Sequence, residues 1–129
     1  MSFRSELSRH FRGVLRDDEP LAPRTSVRAG GAAELFARPV DAEDLRVLLA
    51  AAATASVPVT VLGGGANTLV SDEGVEGVVV KLPAWSGEAQ LDEAGGTFLF
   101  GAGEPITKIP GAMKKQGLVG AEFLAGIPG

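Results

Sequence analysis

An α+β fold is predicted, built as a small βαβ subdomain followed by the start of a second α+β subdomain. Three features carry that expectation. Apolar runs of strand length recur at 33–37, 59–62 and 75–82, an amphipathic helical stretch lies between the first two, and a hairpin signal at 93–96 leads into another helix. The length of 129 residues suits roughly one domain, and 45% hydrophobic with 22% charged residues is the balance of a globular chain rather than a fibrous or disordered one.

From Met1 to Arg16, Phe3, Leu7, Phe11, Val14 and Leu15 recur at helical spacing while Arg4, Arg9, Arg12 and Arg16 take the other side. That predicts an N-terminal amphipathic docking helix and linker over residues 1–19. A transit peptide has a similar arginine-rich pattern, but Glu6 and the run Asp17-Asp18-Glu19 weigh against it. Pro20 to Gly31 contains two prolines and an adjacent glycine pair and predicts a loop. Ala33 to Ala37 then predicts a strand. Asp41, with Asp44 three residues on, is the expected N-cap of a helix running to about Ala55 on the stripe Leu45, Leu48, Leu49 and Ala52. Val59 to Leu62 is expected to be a strand buried on both faces, which closes a βαβ unit with a right-handed crossover.

Val75 to Leu82 is a further strand, its Val78-Val79-Val80 run too apolar for an exposed face. Gln90 to Asp92 and Thr97 to Phe100 flank Glu93-Ala94-Gly95-Gly96 as a hairpin. A helix is expected from about Pro105, with Ile106, Ile109 and Met113 on its buried side, Lys114 and Lys115 at its C-terminal end and Gly117 as its C′ residue. Pro110 must kink that helix or delay its start.

Composition narrows the function. Twelve basic against sixteen acidic side chains leave a net charge of −4, so neither nucleic acid nor an anionic membrane is an expected partner. No stretch matches a signal peptide or a membrane helix, and a cytoplasmic location is expected. The absence of cysteine removes disulfides, thiol catalysis and cysteine-based metal sites. The one histidine, His10, lies far in sequence from any glycine-rich turn. No catalytic residue and no metal ligand is assigned to this chain; redox or transfer chemistry would come from a cofactor.

The most informative segment is Val59 to Asp72, where a strand runs into Gly63, Gly64, Gly65, Ala66, Asn67 and Thr68. Glycines let the backbone bring consecutive N–H groups against an anion, and such a nest holds phosphate oxygens without a cationic side chain. A Walker A loop needs a lysine directly after its last glycine, whereas the next lysine here is Lys81. The dinucleotide fingerprint needs a third glycine where Thr68 stands, and a helix for which the stretch before Gly74 is too short. Taken alone, three glycines are equally compatible with a turn that holds no ligand.

With RTSVRAGGAAELFARPVDAEDL before it and GAGEPITKIPGAMKKQGLVGAEFLAGIPG after it, VLGGGANTLVSDEGVEGVVVKL closely resembles the N-terminal part of the UDP-N-acetylenolpyruvoylglucosamine reductase family. The resemblance runs from about Leu21 to Gly129 and implies an FAD-binding domain over 20–129 with the fold shared by vanillyl-alcohol oxidase and p-cresol methylhydroxylase. It implies that Gly63, Gly64, Gly65, Ala66, Asn67, Thr68 and Leu69 wrap the FAD pyrophosphate. Ala66 stands where the family usually has serine, a loss of about 1 kcal/mol if a hydroxyl hydrogen bond goes with it; Thr68 offers a replacement hydroxyl. Gly126, Ile127, Pro128 and Gly129 resemble the family's second flavin loop, although by themselves they read as a turn. Thr25 matches a position near the cofactor, or is a surface turn. Gly101 and Gly103 are expected to serve close packing beside the flavin.

The implied activity is the NADPH-dependent reduction of UDP-N-acetylglucosamine enolpyruvate to UDP-N-acetylmuramate in peptidoglycan synthesis, with FAD carrying the hydride. The family pattern continues past Gly129 into a substrate domain that holds an arginine, a proton-donating serine and a glutamate. The chain is therefore expected to be an incomplete, cofactor-binding portion of a longer enzyme, inactive by itself. An FAD-dependent oxidase of the same fold, or a non-catalytic nucleotide-binding module, are the alternatives.

Overall fold

The computed structural model describes residues 2–84, 90–92, 94 and 96–128. It divides into two units, Met1–Pro83 and Ala84–Gly129. In the first unit a short helix α1 (Phe3–Leu7) is followed by strands β1 (Val14–Pro20) and β2 (Ala32–Arg38), helix α2 (Ala42–Ala55), and strands β3 (Val59–Leu62) and β4 (Val75–Lys81). The four strands form one sheet in the order β1-β2-β4-β3. β1 is antiparallel to β2, while β2 and β3 both run parallel to β4. The connection β2-α2-β3 is the expected strand, helix, strand unit, with β4 inserted between its two strands.

Both sheet faces are covered, and this is why the central strands read as nearly unbroken apolar runs. Leu35 and Ala37 of β2 and Val78 and Val80 of β4 face α1 and α2, packing with Leu7, Phe11 and Leu48. Phe36 and Val79 point to the opposite face and pack with Leu21, Ala33, Leu62 and Val70. Ala33 and Leu35 would share a face in a regular strand; a register shift between them sends their side chains to opposite sides. Helix α2 starts and ends where its sequence signals place it. The Asp41 side chain accepts a 2.8 Å hydrogen bond from the Asp44 N–H, and Ser56 closes the helix in the left-handed region at φ 55°.

Two expectations are corrected here. The helix expected over Met1 to Arg16 exists only as α1, because the chain turns after Phe11 and continues as an edge strand. The cause is tertiary. The buried carboxylate of Asp44 accepts the Arg12 N–H at 2.8 Å and the Val40 N–H at 3.0 Å, pinning the turn to the start of α2. At Gly13 a Cβ would collide with the Arg38 carbonyl. The second correction concerns β3, which is an edge strand and not buried on both faces: only Leu62 is buried, and Val61 is 66% exposed. The strand buried on both faces is β4, with Gly77 to Val80 all inside.

The second unit contains a hairpin of β5 (Gln90–Asp92) and β6 (Thr97–Leu99), a helix α3 (Lys108–Lys115) and a short 3-10 turn at Glu122–Gly126. Glu93 and Gly95 of the predicted turn lie outside the described residues. Pro110 delays the helix, which begins at Lys108 and so keeps the proline in its first turn. Gly117, at φ 71°, ends α3: its N–H donates to the Lys114 carbonyl and the Leu118 N–H to that of Met113, each at 3.0 Å. This is the paired closure of a Schellman motif.

Candidate functional site

β3 and β4 are parallel and paired to their last residues, Leu62 opposite Lys81, so the turn leaving β3 sits at the carboxyl edge of the sheet. Ligands in open α/β sheets bind at that edge. The turn runs from Gly63 to Leu69, and Val70 then returns to the core. Gly63, Gly64, Ala66, Asn67 and Leu69 are exposed, Thr68 is half-buried and Gly65 is buried.

The buried member anchors the turn. Gly65 has φ 76°, its carbonyl accepts the Ser26 N–H at 3.0 Å, and a Cβ there would run into the Arg24 carbonyl oxygen. This contact binds the glycine turn to the 20–31 loop. Thr25 in that loop is buried, its hydroxyl donating to the Ala22 carbonyl at 3.3 Å and accepting from the Arg28 N–H at 3.2 Å. Arg24 stacks over the Phe36 ring at 4.0 Å and pairs with Glu19 at 2.5 Å. The hydrogen bond from Arg24, opposed by burial and helped by Arg16, holds the Glu19 carboxyl below its ordinary pKa. The 20–31 loop is thus the wall behind the turn.

The rest of the turn is free for a ligand. Among the described residues, no protein acceptor takes the N–H groups of Gly64, Gly65, Ala66 or Asn67. Consecutive backbone N–H groups without a protein partner are the raw material of a nest for an anionic oxygen. A Cβ at Gly63 would meet nothing within 4 Å, so the chain's own packing does not ask for glycine there. The space a side chain would take at Gly63 is open, and so is free for a ligand at the start of the turn. One cation reaches this place: Lys81 Nζ lies 3.3 Å from the Gly63 carbonyl oxygen. Distance in sequence hides it: only the strand register that sets Leu62 opposite Lys81 brings it here, and no local pattern carries that register.

Gly126, Ile127 and Pro128 are exposed in the second unit, just after the Glu122–Gly126 turn, where the Ile127 N–H donates to the Leu124 carbonyl at 3.2 Å. Gly129 lies outside the described residues. The structure therefore brings Thr25 against the glycine turn, while the Gly126 to Pro128 loop belongs to the other unit. Gly101 and Gly103 are half-buried in that second unit. Among the described residues there is no cluster of metal-ligating side chains and no helix long and apolar enough to cross a membrane.

Comparison with known proteins gives a consistent result. Residues 33–129 match the family described as FAD binding domain. The chain is 52% identical over 129 residues to a UDP-N-acetylenolpyruvoylglucosamine reductase of Anaeromyxobacter sp. (strain K), covering all of this chain and 39% of that protein. Proteins of the same name from Myxococcus xanthus (52% over 86% of this chain, 36% of theirs) and Geobacter metallireducens (43% over 97%, 41% of theirs) are also similar. The crystal structure of the Thermus caldophilus UDP-N-acetylenolpyruvylglucosamine reductase superposes with a TM-score of 0.62 at 32% identity, over 91% of this chain and 38% of that one. The chain thus spans about two-fifths of the length of the curated relatives it matches.

Proposed function

The chain belongs to the FAD binding domain family, and on that premise we propose that it is the cofactor-binding portion of an NADPH-dependent reductase. The proposed reaction converts UDP-N-acetylglucosamine enolpyruvate to UDP-N-acetylmuramate for peptidoglycan synthesis. The observation that carries this reading is the glycine turn, mostly exposed and with four N–H groups that have no protein partner among the described residues, in a chain similar along its whole length to proteins named for that reductase. When bound, FAD supplies the hydride chemistry, with NADPH as the donor.

The chain's own residues bind and orient. Gly63, Gly64, Gly65, Ala66, Asn67, Thr68 and Leu69 would hold the pyrophosphate, chiefly through backbone N–H groups, so Ala66 in place of serine costs little of the cradle. Leu69, 81% exposed, offers an apolar surface beside it. Gly126, Ile127, Pro128 and Gly129 would form the second contact. Substrate protonation is assigned to no residue of this chain, which we propose is inactive alone. A cytoplasmic location suits a UDP-sugar substrate and a soluble dinucleotide donor.

The test is made on the protein expressed with the sequence that follows residue 129. Co-purifying flavin, and NADPH oxidation that depends on the enolpyruvyl UDP-sugar, are the expected results. Flavin with oxidation of a different substrate would overturn the reductase assignment, and a flavin-free protein would overturn the cofactor assignment as well.

A further inference from the structure

We propose that Lys81 is a phosphate-binding residue of the glycine turn, supplying to the diphosphate of FAD the positive charge that the turn itself lacks. The inference rests on the FAD reading above but on a separate observation. Lys81 is the last residue of β4, half-buried, and lies opposite Leu62 in the parallel ladder. That register places it next to the start of the turn, where Nζ donates to the Gly63 carbonyl at 3.3 Å.

An ammonium has three N–H donors, and this contact uses one. Among the described residues no carboxylate pairs with Lys81, although seven ion pairs engage six arginines and an eighth engages Lys108. The contact is at Gly63, directly before the run Gly64 to Asn67, whose N–H groups are also without protein partners among the described residues. Backbone dipoles alone can hold one anionic oxygen; a diphosphate carries more charge, and a neighbouring ammonium lowers its cost of binding in a protein of net charge −4. This is the arrangement of a phosphate-loop lysine, delivered by the adjacent strand in place of the turn itself.

A merely structural lysine, tying the turn to β4, makes a different prediction, and three variants separate the two. Lys81→Gln keeps a donor for the Gly63 carbonyl without the charge, Lys81→Met removes both, and Lys81→Arg keeps both. FAD binding to the protein is followed by fluorescence titration at several salt concentrations, with circular dichroism to check folding. The proposal expects Lys81→Gln and Lys81→Met each to raise Kd about tenfold, the worth of a charge-assisted hydrogen bond. It also expects both to weaken the salt dependence, and Lys81→Arg to stay near the parent value. Parent-like affinity and salt dependence in Lys81→Gln would overturn the proposal while leaving the cradle intact. Titration with UDP is the companion arm: an effect on UDP and not on FAD would move the lysine to a different diphosphate and overturn the assignment. No saturable FAD binding by the parent protein would overturn the cradle reading itself.

Discussion

The two units treat their apolar side chains in opposite ways. In Met1–Pro83 the large residues Phe36, Leu7, Leu21, Leu48, Val78, Val79 and Val80 are almost wholly buried on the two faces of one sheet. In Ala84–Gly129 the only buried residue among those described is Ala121, and Leu99, Val119 and Phe123 are 63%, 83% and 71% exposed. The first unit draws its order from a core, the second from local hydrogen bonds such as the Schellman closure of α3 and the hairpin ladder. A cradle that must hold its N–H groups fixed therefore gains from standing on the first unit, where Gly65 is wedged against the 20–31 loop.

The sharpest challenge to that contrast is Phe36→Ala. It removes a fully buried ring together with its contact to Arg24, and should cost about 3–5 kcal/mol in urea denaturation. A cost near that of a surface residue would mean the first unit has no such core. Asp44→Ala should come next, leaving the N–H groups of Arg12 and Val40 without an acceptor at about 1–3 kcal/mol each; unfolding with the parent midpoint would show that the β1 turn is held by something else.

These two residues also show what was legible in sequence and what was not. Phe36 and Asp44 both sit inside predicted elements, and Asp41, Ala55 and Gly117 mark helix ends correctly because caps are local chemistry, whereas α3 starts at Lys108 and not near Pro105. Asp44 was read as a capping residue, whereas its side chain reaches across 32 residues of sequence to Arg12, a contact no local pattern carries. For the same reason the helical spacing from Phe3 to Leu15 misled: Gly13 and the Asp44 contact end the helix, and β1, an edge strand, shows no alternating burial. The glycine turn is visible as residues, and Thr25 as a position that the resemblance sets near the cofactor; Glu19 and Arg24 are not, since their place behind the turn depends on which loop the sheet order puts there.

The Glu19 and Arg24 pair gives a smaller, pH-dependent effect. The folded-state pKa of Glu19 is depressed, so the pair's contribution is complete above the ordinary glutamate value of about 4.3 and is lost as pH falls through the lower folded value. Melting temperature measured against pH should therefore fall less steeply on the acid side in Glu19→Gln than in the parent; identical acid limbs would show that the pair is not linked to stability. Smallest of all, Phe123→Ala in the second unit should change stability by less than about 0.5 kcal/mol despite the size of the ring. A large loss there would erase the difference between the units.

The central claim, that the open side of the glycine turn is kept for a ligand while Gly65 serves its packing, is tested most directly at Gly63. Because a Cβ at Gly63 meets nothing within 4 Å, Gly63→Val should leave the melting temperature of the protein unchanged. FAD titrated into that variant is predicted to show no saturable binding, since the valine fills the open space at the start of the turn that the account reserves for the ligand. A variant that melts like the parent and binds FAD with parent affinity would contradict the account.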